Sequence, residues 1–197
     1  MLPADFLEIG PLRTERLILR MMTADDVGDV HAYQGDPEVC RYQLFEARSR
    51  EEVVVKVGEH AASTVLRADG DYWQIAVELP EVGKRRSDAA PHVIGDIYFT
   101  IKSVENLGGE IGWTFATAYQ GKGYATEAAS AVLDLAFDRL GLHRVIAELD
   151  PRNSASIRMC RRLGLREEAL FAQDLMFRGA WADTGVYAIL EEEWAAR

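Results

Sequence analysis

The chain has 197 residues, of which 48% are hydrophobic, and it carries a formal net charge of −10. That much apolar content fills one core, and no Pro/Gly/Ser-rich stretch separates two units, so a single domain over residues 1–197 is expected. The negative balance repels polyanions at long range, which argues against nucleic acid as a partner and favours a cationic amine.

In chain order, a strand is expected at residues 16–22, then a helix capped by Thr23 with Asp25 and Asp26 in its first turn. A second helix starts at Ser49, with Glu51 and Glu52 early and Val53, Val57, Ala61 and Leu66 on its apolar side. Strands follow at residues 72–77, 92–101 and 109–115. Between the first two, residues 79–91 include Gly83-Lys84-Arg85-Arg86-Ser87-Asp88 and read as a polar hairpin loop. A helix over residues 123–140 is stopped by Gly141, which suits a left-handed C-cap. Next come a strand at residues 143–149, a helix from Asn153 to Gly164, and a long hairpin of residues 165–176 and 181–190.

Strand, helix, strand over residues 109–149 calls for a right-handed crossover between parallel strands, whereas the earlier, closely joined strands suit antiparallel pairing. The expected class is α/β with α+β character: a twisted mixed sheet of about six or seven strands with helices on both faces. Cys40 and Cys160 lie far apart and fit reduced thiols. His31, His60, His92 and His143 are scattered without ligand spacing, so no metal is expected. The most apolar stretch, residues 128–137, is broken by Ser130 and Asp134, and residues 1–5 lack a leader pattern; no membrane association and a cytoplasmic location are expected.

The segment Tyr119-Gln120-Gly121-Lys122-Gly123-Tyr124-Ala125-Thr126 carries the chemistry. Before it, Glu110-Ile111-Gly112-Trp113-Thr114-Phe115 alternates with period two; after it, Ala125, Ala128, Ala129, Val132, Ala136 and Leu140 recur at helical spacing. A strand-to-helix junction with two glycines presents backbone N–H groups at the positive end of a helix dipole, where a diphosphate binds. Lys122, Arg152, Arg158, Arg161 and Arg162 are local cations that can meet an anionic ligand.

Gln120-Gly121-Lys122-Gly123-Tyr124-Ala125 resembles the acetyl-CoA-binding pattern Gln/Arg-x-x-Gly-x-Gly/Ala of the GNAT (Gcn5-related) N-acetyltransferase family. The segment from Asn153 to Leu165 is similar to that family's second signature. Residues 12–20 and 179–190 resemble the branch typified by ribosomal-protein alanine acetyltransferases, so the likeness covers nearly the whole chain. It implies a splayed pair of parallel strands, acetyl-CoA as co-substrate, and transfer of its acetyl group to a primary amine of a protein N-terminus or a small molecule. It assigns the cofactor to Ile111, Trp113, Thr114 and Phe115 on the splayed strand, to Gln120 through Thr126, and to Asn153 and Ser156. A pair of chains sharing the C-terminal hairpin is a further expectation.

Acetyl transfer needs a neutral amine, support for the oxyanion and a proton for the leaving thiolate. Glu110 shares a strand face with Gly112 and Thr114 and is the expected base; Glu148 and Asp150, at the end of the next strand, compete with it. Many relatives place a tyrosine where this chain has Cys160, which leaves a thiol or solvent as the acid. Two rivals stay open. A nucleotide oxidoreductase shares Gly121-x-Gly123 but needs a third glycine where Thr126 stands. A sensor that binds the cofactor without turnover fits the missing tyrosine.

Overall fold

The structure, a computed structural model, describes residues 10–80 and 93–197. Most of the 79–91 loop expectation, Gly83 to Asp88 included, and the His92 strand start lie outside those residues.

One eight-stranded sheet forms the frame. Strands β1 (Leu12–Arg13), β2 (Ile18–Met21), β3 (Tyr72–Glu78), β4 (Val93–Ser103) and β5 (Gly108–Phe115) pair antiparallel in that order. β6 (Arg144–Leu149) pairs parallel to β5, and the hairpin of β7 (Arg166–Phe177) and β8 (Ala180–Leu190) completes the order β1-β2-β3-β4-β5-β6-β8-β7. The two-residue β1 is the eighth strand, too short to carry a periodic signal.

Period-two alternation divides the sheet into two faces. Trp73, Ile75, Ile97, Phe99 and Ile111 bury on one face, under Ala128, Ala129 and Val132 of α3 (Tyr124–Asp134) and Met159 of α4 (Ser154–Arg162). Ala76 and Val93 contribute to the other, under Val30 of α1 (Val27–Gln34) and Val53 and Val57 of α2 (Arg50–Ala62). Each fully buried large side chain contributes about 1.5–3 kcal/mol.

The expected caps are built largely as the sequence demands. Ser49 Oγ accepts the Glu52 amide at 3.3 Å while the Glu52 carboxylate accepts the Ser49 amide at 2.7 Å. Asp26 accepts the Thr23 amide at 2.7 Å, but α1 is entered through a 3-10 turn, Ala24–Asp26. The helix expected to run evenly to residue 140 instead widens into a π turn at Leu135–Arg139, which keeps the consecutive residues Leu135, Ala136 and Phe137 all buried. Gly141 then takes φ +64°, the left-handed C-terminal position. A short α5 (Glu191–Ala195) follows β8 unforeseen, its start fixed by Glu193 accepting the Leu190 amide at 2.8 Å. No helix among the described residues is long and apolar enough to cross a membrane.

Candidate active site at the strand splay

β5 and β6 are paired only from Gly108 to Glu110 against Arg144 to Ile146. Beyond Glu110 the two strands keep their outer partners, β4 and β8, but not each other, so a gap opens between residues 111–115 and 147–149. Glu148 lies on β6 two residues past Ile146, the last residue paired with β5, and Asp150 lies just beyond the end of that strand. Across the gap Trp113 Nε1 donates to Ser156 Oγ at 3.1 Å, and Gln43 Nε2 donates to the Trp113 carbonyl at 3.3 Å.

At the end of β5 the chain turns through Thr117–Tyr119, and Gln120 Nε2 folds back onto the Phe115 carbonyl at 2.8 Å. Gly121 and Gly123 then adopt φ +72° and +84°, left-handed values that glycine takes without strain. The first bond of α3 runs from the Glu127 amide to the Gly123 carbonyl at 3.0 Å. The amides of residues 121–126 donate to no acceptor among the described residues. They are the orphan donors of a helix start, gathered where the dipole is positive.

A cleft of about 300 Å³ lies against this junction. Its wall includes Gln120, Gly121, Gly123, Tyr124, Ala125 and Thr126 from the turn, Trp113, Thr114 and Phe115 from β5, and Asn153 and Ser156 from the start of α4. Asn153 Oδ1 also accepts the Ser156 amide at 3.1 Å, so capping and cleft positions coincide. Four expected site residues stand apart from the cleft wall: Glu110, Ile111, Lys122 and Cys160. The Ile111 side chain is buried in the core, which leaves only its backbone to serve the gap. Lys122 presents its carbonyl to Arg16, and its Nζ lies 5.6 Å from the Tyr119 ring centre. Cys160 is fully buried in the core and lines no part of the cleft; burial pushes its thiol up to about 12, which removes it as a proton donor to a bound thiolate.

Sequence reasoning missed Arg16 as a site residue. Its Nη1 donates to the Lys122 carbonyl at 3.1 Å, its guanidinium sits 4.6 Å from the centre of the Tyr124 ring, and its Nη2 lies 3.3 Å from where a Cβ on Gly123 would stand. Only the opening segment 12–20 hinted at it, because the partners are distant in sequence.

The three carboxylates near the gap have separate circumstances. Glu110 is ion-paired with Lys102 at 2.8 Å. Asp150 is held below its ordinary range by hydrogen bonds from Arg152. The Glu148 carboxyl is raised, first by partial desolvation and then by the charge of Glu110, with Lys102 opposing. Among the described residues no cluster of metal-ligating side chains occurs.

Residues 16–166 match the family model of the acetyltransferase (GNAT) domain. YnaD of Bacillus subtilis, described as an uncharacterized N-acetyltransferase, is 34% identical over 93% of this chain and 98% of its own. The crystal structure of a GNAT-family acetyltransferase from Bacillus anthracis superposes with a TM-score of 0.79 at 30% identity, over 93% of this chain and 99% of that one. A spermidine N-acetyltransferase from Vibrio cholerae, solved with CoA and spermine, shares the fold with a TM-score of 0.73 at 20% identity, over 92% and 99% of the two chains. The chain belongs to the GNAT family of N-acetyltransferases.

Proposed function

We propose that the whole chain acts as one acetyltransferase domain that moves the acetyl group of acetyl-CoA onto a primary amine by direct attack. The observation that carries this reading is the set of uncommitted amides at residues 121–126, which open onto a cleft that runs to the gap between β5 and β6. Those donors suit a diphosphate. Asn153 and Ser156 flank the path of a pantetheine arm, and the backbone of residues 111–115 borders the gap where a thioester carbonyl would lie.

Glu148 is the base in this proposal, in preference to Glu110. It lies just past the last β5–β6 pair and near enough to Glu110 to feel its charge, and its raised proton affinity moves it toward the range where a carboxylate accepts a proton effectively. Glu110, tied to Lys102, acts on it through charge. The amine nitrogen bonds to the acetyl carbon as Glu148, directly or through a water, takes the amine proton; the C–S bond then breaks, and solvent supplies the thiolate with its proton. An α-amine has a pKa near 8, so about one tenth is already neutral at pH 7, and the base acts chiefly on the proton shed as the N–C bond forms. Ribosomal-protein N-termini and small amines are both acceptors of this class. The buried free thiols Cys40 and Cys160 support a reducing compartment such as the cytoplasm.

Release of CoA thiol on mixing the protein with acetyl-CoA and a panel of amines and peptides tests the reading. Release that requires an acceptor supports it. Tight binding of acetyl-CoA with no release for any acceptor favours instead a sensor, the reading to which the sequestered Cys160 lends weight.

A further inference from the structure

A second hollow, about 490 Å³, adjoins the cleft. It lies between the turn that connects α1 to α2 and the tip of the β7–β8 hairpin. Arg41 and Tyr42 belong to both walls, so the two spaces adjoin. Its neighbours in sequence reach the gap: Gln43 touches the Trp113 carbonyl, and Arg152 precedes Asn153 of the cleft. The hollow therefore lies within a residue of groups that border the splayed strand.

The lining is chemically one-sided. Arg41, Arg152 and Arg178 contribute guanidinium groups, Tyr42, Phe177 and Trp181 contribute rings, and among the described residues no carboxylate lines it, although Glu38, Asp150 and Glu46 pair with the three arginines from outside the wall. That is the reverse of the chain's net charge of −10. The wall is also built in advance of any ligand. Arg178 Nη2 donates to the Cys40 and Phe45 carbonyls, both at 3.1 Å, and its guanidinium lies 4.8 Å from the Phe177 ring centre, which ties the turn to the hairpin. Arg152 is spent on Asp150. Arg41 is the least committed of the three, its side chain 62% exposed and 3.6 Å from the still more exposed Glu38, a surface pair that holds it weakly. Trp181 is 60% exposed beside it, a large apolar surface without cover.

We infer that this hollow selects amine acceptors that carry a carboxylate, held by Arg41, next to an apolar or aromatic group packed on Tyr42, Phe177 and Trp181. The inference rests on the acetyl-transfer reading and adds to it the class of acceptor. Guanidinium and carboxylate match in a planar, two-bond geometry, and rings beside the cation accept a flat apolar group.

Alanyl-phenylalanine and alanyl-phenylalaninamide test this. Their α-amines ionise at similar pH and they differ chiefly in the C-terminal charge. With acetyl-CoA and the full chain, kcat/KM for the acid should exceed that for the amide by about tenfold or more, equivalent to about 1.4 kcal/mol. In Arg41→Gln that ratio should fall to within about threefold of unity; taking the ratio cancels any effect on cofactor binding. Equal rates, or a faster amide, overturn the inference while leaving acetyl transfer intact. No release of thiol with either peptide also overturns it, whereas silence across the whole amine panel sinks the enzyme reading itself. A ratio that survives Arg41→Gln removes Arg41 from the role and overturns the assignment.

Discussion

Arg16 Nε donates to Glu127 Oε2 across 2.6 Å and so joins the approach to β2 to the first turn of α3. Glu127 also accepts the Arg16 amide at 2.8 Å and Thr14 Oγ1 at 2.5 Å, and the far end of the same guanidinium holds the Lys122 carbonyl. The hydrogen bonds from Thr14 and Arg16 keep the Glu127 carboxyl below its usual range although desolvation opposes them. The phosphate-binding turn is thus braced from outside its own segment. Glu127→Ala should cost about 1 kcal/mol of stability, because Arg16 is partly exposed and screened, and should raise the Kd for acetyl-CoA about threefold to tenfold. Chemical denaturation and calorimetric titration check the two effects separately; an unchanged Kd means the brace does not serve the cofactor.

Gly123→Val should weaken acetyl-CoA binding by about tenfold or more. A branched side chain at φ +84° is strained, and its Cβ meets Arg16 Nη2 at the point where the diphosphate would approach. Acetyl-pantetheine, which lacks the diphosphate, serves as the comparison: its weaker binding should change far less. Equal losses for both ligands mean the loop has collapsed rather than lost a contact.

Glu148→Gln should lower kcat by about a hundredfold with little effect on the KM for acetyl-CoA. The sign of its neighbours' influence gives a sharper check. Glu110 raises the Glu148 carboxyl, so Glu110→Gln should move the acid limb of the rate profile to lower pH; Lys102 lowers it, so Lys102→Met should move that limb to higher pH. Limbs that do not move, or move the other way, place the base elsewhere.

Two groups away from the gap, the buried Asp96 and the half-buried His60, should give opposite pH dependences of stability. Asp96, wholly buried beneath α1 and bonded by Tyr33 and Gln74 at 2.6 Å each, is held up to about 6, chiefly by desolvation. Its contribution is complete below the unfolded value of 3.8 and is lost as pH rises through about 6. The stability of the parent minus that of Asp96→Asn should therefore decline from pH 4 to 6. His60 is pushed down to about 4, by desolvation first and then by Arg48 and Lys56. Its contribution is complete above 6.5 and lost as pH falls toward 4, so the parent minus His60→Gln should decline on acidification. Urea midpoints across that range measure both; parallel slopes contradict the assignment.

Local signals made much of this fold readable. Alternation in 110–115, the glycines at 121 and 123, the caps at Ser49 and Asn153 and the stop at Gly141 each act over a few residues, and each is present. What the sequence hid depends on distant pairing. Arg16 meets Lys122 and Glu127 only once the sheet is assembled, and the difference between Glu110, Glu148 and Asp150 arises from Lys102 and Arg152 rather than from their own strand positions. Cys160 joins Leu163 in the core, and which side of α4 faces the cleft is settled only once that core assembles. The hollow at Arg41 joins a turn to a hairpin tip, and no local pattern announces it.

The most direct test of the central claim is a crystal structure of the protein with acetyl-CoA. Diphosphate oxygens should lie within about 3.2 Å of the amide nitrogens of residues 121–125, with the thioester carbonyl between β5 and β6. Density for the diphosphate at any other place, with those amides still unbonded, contradicts the account.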